Sequence, residues 1–265
     1  MNALVNLIRD AVKPYPKPCV NLSGIDSAII LHHLTEKTDG PIHTYTIGFD
    51  GQPNEFHPAA EVAEHYGTIH REIVIKNMLA IYPQILALFM RPRFNLWPYW
   101  AARAANEDGC ETCYIGEGGD EHFGGYYYKP RMSYVQHWAG LFTYVHPTYQ
   151  TIYRHFGIRL ETPLHPDYLP WRLTLPYYDV AHEKRYLRKA YRGILPDFVV
   201  ERKKQNGRFS YWIMWEDELK PYFPDAEPRT EQEIRDLLNH WVIGTWLRVH
   251  NWRRRALAYA SPSPA

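Results

Sequence analysis

Ile115-Gly116-Glu117-Gly118-Gly119-Asp120-Glu121-His122-Phe123-Gly124-Gly125-Tyr126 is the stretch that decides the fold of this 265-residue chain. It continues the apolar run Thr112–Ile115, which reads as a short strand feeding a glycine-rich loop. Glycines at a strand end let backbone N–H groups come close to an anion. The carboxylates beside them suit a hard cation. An anion cradle next to metal-binding carboxylates is what a nucleoside triphosphate site requires. Taken alone, the same residues also describe a flexible surface turn with solvated acids.

A second stretch decides between these. Val20-Asn21-Leu22-Ser23-Gly24-Ile25-Asp26-Ser27-Ala28-Ile29-Ile30-Leu31 reads as a buried strand, a tight turn and an apolar helix. Ser23 and Ser27 carry hydroxyls suited to phosphate oxygens. The helix that begins near Asp26 turns N–H groups and its positive dipole end to the same place. A carboxylate at Asp26 repels phosphate unless Mg²⁺ sits between them. A Ser-Gly-x-Asp-Ser match by itself is explained equally by an N-capped helix. Paired with the Glu117–Asp120 loop it becomes a nucleotide signal.

The first half alternates strand and helix. Strands are expected at Cys19–Leu22, Ile42–Phe49, Ile69–Ile75 and Thr112–Ile115, and helices at Ser27–Leu34, Phe56–Tyr66, Met78–Met90 and Tyr99–Glu107. Such a pattern implies an α/β fold, a parallel sheet of about four or five strands with helices on both faces. In these sheets ligands bind beyond the carboxyl ends of the strands. The Ser23 loop, Ile47-Gly48 and the Gly116 loop all follow strands and so open on one edge. The second half is richer in Pro and aromatics. Asp179–Tyr191, Tyr211–Leu219, Glu231–Asn239 and Trp241–Leu257 read as helices, and the tail Ser261–Ala265 as disordered. The expected organisation is a nucleotide-binding part at 1–128 and a helical extension at 129–265 that completes one domain.

Composition narrows the function classes. A net charge of +1 gives no electrostatic case for nucleic acid. Three Cys argue against a disulfide scaffold and fit a reducing, cytoplasmic setting. Cys110 and Cys113 have CxxC spacing without a second pair, so a buried strand position outweighs a zinc or redox role. No membrane-length apolar run is present, and the N-terminal helix Asn2–Val12 is too short and polar to be a signal or anchor. The aromatics crowding Tyr126–Tyr153 read as helical core rather than a base-stacking surface, because no basic stripe accompanies them. The His residues show no metal-binding spacing, and His32-His33 reads as a helix face.

These residues carry a family resemblance. Leu22-Ser23-Gly24-Ile25-Asp26-Ser27 resembles the pyrophosphate loop (PP-loop) of N-type ATP pyrophosphatases, and Ile115–Tyr126 resembles the second signature of the asparagine synthetase B family. Thr46-Ile47-Gly48-Phe49 and Ala59–His70 also fit. Leu175-Pro176-Tyr177-Tyr178-Asp179 is similar to that family's Pro-Phe-Leu-Asp element, Lys184–Lys204 to its stretch ending in Arg-x-Lys, and Trp246-Leu247-Arg248 to its C-terminal helix. The chain departs from the family in two ways. Its loop lacks one glycine of Ser-Gly-Gly-x-Asp-Ser and so must take another path. In addition, the sheet part begins at once after Met1-Asn2, so no N-terminal glutamine-hydrolysing domain is expected and the nitrogen would come as free ammonia or from a separate glutaminase.

The resemblance implies ATP and Mg²⁺ as cofactors and an amide-forming ligase reaction. AMP is transferred from ATP to a carboxylate, pyrophosphate leaves, and ammonia or an amine displaces AMP. Asp26 and Asp120 are then expected on Mg²⁺, Ser23, Gly24 and Ser27 on the pyrophosphate, and Ile47 and Gly116 on the nucleoside. Glu117 is expected to orient the amine or take its proton, with a rim salt bridge as the competing role. Lys204, beside Lys203, is expected to stabilise developing negative charge, against a plain basic loop. Asp179 either orients that lysine or caps a helix. Aspartate with ammonia is the simplest substrate pair, and another carboxylate fits the motifs as well. A nucleotide- or RNA-modifying enzyme and a non-catalytic nucleotide-binding relative with a shortened loop are the alternatives left open.

Overall fold

The computed structural model describes residues 3–125, 134–165, 184–202 and 210–260. Five parallel strands form one sheet in the order β3-β2-β1-β4-β5, with β1 at Pro18–Asn21, β2 at His43–Phe49, β3 at Ile69–Ile75, β4 at Thr112–Tyr114 and β5 at Arg159–Glu161. The α/β parallel-sheet class read from the sequence is therefore the observed one. β5 is the strand that the sequence did not reveal. It comes from the second half, pairs with β4, and is too short and too charged to show alternation.

The central strands are buried on both faces, as a parallel sheet covered by helices requires. Val20 and Tyr114 point into one core, together with α1 (Ala3–Ala11), α2 (Ile25–Thr35) and α3 (Phe56–His65). Cys19 and Cys113, their neighbours along β1 and β4, point into the other. That second core holds α4 (Met78–Leu86), α5 (Pro98–Glu107) and residues of the later helices. Cys19, Cys110 and Cys113 are free and buried. β3 is one of the two edge strands, and it is not cleanly buried on either face: Ile69 is 51% exposed and Val74 45% exposed.

α2 is apolar nearly all round because it is enclosed, which is the condition under which such a helix is stable. His33 lies within it, its Nδ1 2.9 Å from Glu36 and its Nε2 2.9 Å from the Tyr191 hydroxyl. Burial lowers its pKa. A neutral ring serves both partners by donating from Nδ1 and accepting at Nε2.

After β4 come α6 (Gly119–Phe123), α7 (Tyr134–Gly140), a π-helical segment Leu141–Val145 and α8 (His146–His155). α9 (Arg185–Tyr191), α10 (Asp197–Val200), α11 (Tyr211–Met214) with a π segment Trp215–Leu219, and α12 (Glu231–Ala260) follow among the described residues. Three expected boundaries move. The helix expected to Met90 ends at Leu86 and gives way to tight turns, with the Leu88 N–H on the Ile85 carbonyl at 3.0 Å and the Phe89 N–H on the Leu86 carbonyl at 3.2 Å. The two helices expected at Glu231–Asn239 and Trp241–Leu257 are one 30-residue helix. His240 does not interrupt it, since its Nδ1 meets the Asp236 carbonyl one turn back at 2.8 Å. The helix expected from Asp179 is seen from Arg185 onward, residues 179–183 lying outside the described residues.

Candidate active site

β1 and β4 are neighbours, but the chain runs from β1 toward β2 and β3 and from β4 toward β5. The topological switch point therefore lies between them, where an open parallel sheet leaves a crevice at its carboxyl edge. The Leu22–Asp26 loop and the Ile115–Gly119 loop open there side by side.

The glycines of the second loop make this closeness possible. A Cβ on Gly116 would lie 2.8 Å from the Asp26 Cβ and 3.0 Å from the Ser27 backbone nitrogen. Gly119 leaves room for the Asp26 carboxylate, and Gly125 for that of Asp120. Gly118, at φ +89°, lies against the Leu164 carbonyl in the turn after β5. The glycines thus bring three loops together, in addition to any part they take in cradling an anion.

Asp26 and Asp120 meet as the sequence requires, 94 positions apart in the chain (120 minus 26). A cation that the sequence did not reveal lies between them. The Lys184 ammonium forms an ion pair with both carboxylates. The three side chains are 7%, 14% and 20% exposed for Lys184, Asp26 and Asp120. Burial alone works against the ammonium, but Asp120 and Asp26 more than offset it and hold its pKa above the ordinary lysine value. Lys184 has φ +58° and precedes α9, a left-handed turn that aims its side chain at the switch point. Two aspartates facing one crevice need a positive partner, and that was the only sequence signal for it.

The first loop is folded by Ser27. Its hydroxyl accepts the N–H groups of Ser23 at 3.0 Å and Gly24 at 3.2 Å and donates to the Gly24 carbonyl at 2.9 Å. The sequence had assigned this hydroxyl to phosphate; here it closes the shortened loop on itself. The orphan donors left for an anion are those of the first turn of α2. Thr46 on β2 pins the loop from below, donating to the Leu22 carbonyl at 2.6 Å. Ile47 packs partly buried against the second core. Gly24 is extended, at φ −154°, with nothing within 4 Å of a Cβ placed on it. Gly24→Ala should therefore change stability by less than about 1 kcal/mol. The added methyl would enter the space in front of the loop, so ATP should bind roughly 10-fold more weakly. Thermal melts and ATP titration check the two effects separately.

Arg202, the arginine of the Arg-x-Lys element, had been given no role of its own. Its guanidinium pairs with Glu55 and donates to the Ser23 carbonyl at 3.3 Å, which brings the chain to the rim of the first loop. Lys203, Lys204 and Asp179 lie outside the described residues.

Glu117 faces His146 and His165, one ligating atom of each lying within 4.8 Å of the others. Its Oε2 is enclosed and has no hydrogen-bond partner among the described residues. Burial, reinforced by the Glu121 carboxylate, pushes its pKa up to about 9. The His146 and His165 ring centroids are 4.6 Å apart. Burial pushes the His165 pKa down to about 3, with His146 and His122 adding to it, and lowers that of His146.

Residues 6–160 match the family model described as asparagine synthase. The chain belongs to the asparagine synthase family. Its relatives include the glutamine-hydrolysing asparagine synthetase 2 of Oryza sativa subsp. japonica, 23% identical over 84% of this chain and 38% of the relative. The glutamine-hydrolysing asparagine synthetase B of Escherichia coli strain K12 is 26% identical over 83% of this chain and 46% of that protein. The chain thus spans less than half the length of these relatives. Membership of this ligase family agrees with two nucleotide-type loops meeting at the switch point. No helix among the described residues is long and apolar enough to cross a membrane.

Proposed function

We propose that this chain is an ATP-dependent amide-forming ligase. The observation that supports it most is the meeting of Asp26 and Asp120 around one buried cation, between an α2 N-terminus and a glycine-rich loop. Two converging carboxylates are hard oxygen donors of the kind Mg²⁺ takes, and the ion would share or take the seat that the Lys184 ammonium holds. When bound there, Mg²⁺ would supply charge neutralisation for the leaving pyrophosphate.

The chain's own residues have these parts. The first turn of α2 receives the phosphates, with Ser23 and Gly24 beside it and Ser27 holding the loop. Gly116 and Ile47 border the nucleoside. A substrate carboxylate oxygen attacks the α-phosphorus, and the bond to pyrophosphate breaks. The Lys184 ammonium, paired with both aspartates, lies where charge gathers on the departing group. An amine nitrogen then attacks the acyl carbon, and AMP leaves with the bonding pair. Glu117 takes the proton that the ammonium form must lose first. Burial and the Glu121 carboxylate raise its pKa to about 9, so the form that takes this proton is the ionised fraction, which grows as pH rises toward that value. Lys204 joins as a second cation on the developing charge. Aspartate and ammonia are the simplest pair, the nitrogen coming as free ammonia or from glutamine.

One observation favours a second reading, a nucleotide-binding relative without turnover. Lys184 already neutralises the aspartates, and Ser27 consumes two loop N–H groups. Incubation with ATP, Mg²⁺, ammonium and a panel of amino acids led by aspartate separates the two. Pyrophosphate, AMP and an amide product support the ligase, and the amide names its acid. ATP binding without release of pyrophosphate under any of these conditions supports the second reading. In the ligase, Asp120→Ala should slow pyrophosphate release at least about 100-fold, equivalent to roughly 2.7 kcal/mol. Release at the wild-type rate would remove Asp120 from the site.

A further inference from the structure

We propose that Glu117, His146 and His165 form a binding site for a zinc-class divalent cation. One ligating atom from each comes within 4.8 Å of the other two. Glu117 Oε2, His146 Nδ1 and His165 Nε2 are all enclosed and have no hydrogen-bond partner among the described residues. A buried polar atom left unsatisfied costs about 1–3 kcal/mol. Three such atoms on side chains whose ligating atoms come within 4.8 Å of one another therefore call for a shared partner. Donors around a tetrahedral zinc ion lie about 3.3 Å apart, so the gaps close with at most about 1.5 Å of movement. Two imidazoles and a carboxylate form a donor set that suits zinc and its neighbours rather than Mg²⁺ or Ca²⁺.

The fold positions these residues independently of the aspartate pair. Glu117 stands in the loop after β4. His165 ends the turn after β5, the adjacent strand, with its N–H on the Thr162 carbonyl at 3.0 Å. His146 opens α8 directly after the π-helical segment, a distortion that shifts side-chain register and is common at functional sites. Phe142 packs against His165 at 5.2 Å, and Trp138 against Phe142 at 4.3 Å, so aromatic rings lie beside the group. The other His/Glu group, His32-His33-Glu36, is different in kind: both nitrogens of His33 already have protein partners.

The inference stands without the ligase reading. If that reading holds, metal and amine are alternative occupants beside Glu117. The test needs no turnover. The full chain, stripped with chelator, is titrated with Zn²⁺ by calorimetry and with Co²⁺ by visible absorption. One equivalent should bind, with the intense visible bands of low-coordinate cobalt. Glu117→Gln and His165→Ala should each weaken it at least about 10-fold, the lower bound for disturbing even a supporting residue. His32→Ala should leave it unchanged. Should His165→Ala fail to fold, His146→Gln carries the same expectation at a less buried position. Absence of a bound equivalent in the wild type, or equal binding by the wild type and the Glu117 and histidine variants, would overturn the proposal.

Discussion

Lys184→Met should cost the folded protein about 3–5 kcal/mol, the usual penalty for removing one partner of a buried ion pair. The side chain keeps its apolar stem and loses the ammonium. Asp26 and Asp120, only 14% and 20% exposed, are then left facing each other across a crevice without their shared positive charge. The backbone gains nothing in return. Lys184 holds φ +58°, a conformation costing roughly 1–2 kcal/mol for any side chain, and the double ion pair is what offsets it. Lys184→Gly separates the two contributions: it removes the strain together with the charge and should be less destabilised than Lys184→Met. Denaturant unfolding measures both. Mg²⁺ gives the decisive contrast. If the aspartates form a divalent seat, Mg²⁺ alone should restore part of the lost stability in Lys184→Met, whereas in the wild type, where Lys184 holds the seat, it should act only together with ATP. A Lys184→Met protein as stable as wild type would show that the pair contributes nothing. A destabilised one that Mg²⁺ leaves unmoved would remove the metal from Asp26 and Asp120.

The same residues show where sequence reading succeeds and where it stops. Strand and helix alternation, the apolar body of α2 and the two glycine-bearing loops are local patterns, and each local pattern recurs in the fold. Their meeting follows from topology, because parallel strands deliver all their carboxyl ends to one edge. Lys184 was not legible. It belongs to a stretch that reads as a helix from Asp179, and only its left-handed φ aims it at the aspartates. The Ser27 contact was hidden for another reason. A serine four residues after Ser23 can face a ligand or bend back to the loop, and the choice depends on how much space the loop leaves. The Glu117, His146 and His165 group has spacings of 29 and 19 residues, set by a π segment and a three-residue strand that carry no periodic signal. The edge position of β3 explains Ile69 and Val74: an alternating strand predicts one covered face, but which strand is at the edge is decided by pairing.

Gly118→Ala should be the most damaging conservative change in the glycine-rich loop, at about 2–4 kcal/mol. Two costs combine. At φ +89° an added Cβ is strained by roughly 1 kcal/mol. That Cβ would also overlap the Leu164 carbonyl oxygen and lie 2.9 Å from its carbon and 3.1 Å from the His165 ring. The obstacle is backbone, so no rotamer change relieves it, and overpacking of this kind costs about 1–3 kcal/mol more. Either the turn through Leu164 and His165 or the loop carrying Asp120 must move. If the turn yields, His165 leaves Glu117 and zinc affinity falls while nucleotide binding persists. If the loop yields, Asp120 leaves Asp26 and pyrophosphate release falls first. Melting, zinc titration and pyrophosphate assays on this one variant therefore rank the stiffness of the two segments. Gly24→Ala, with open space around its Cβ, is the control that should melt like wild type. A Gly118→Ala protein within about 1 kcal/mol of that control would mean that the loop and turn are not held in contact, and the close approach of β4 and β5 loops would no longer account for the glycine at this position.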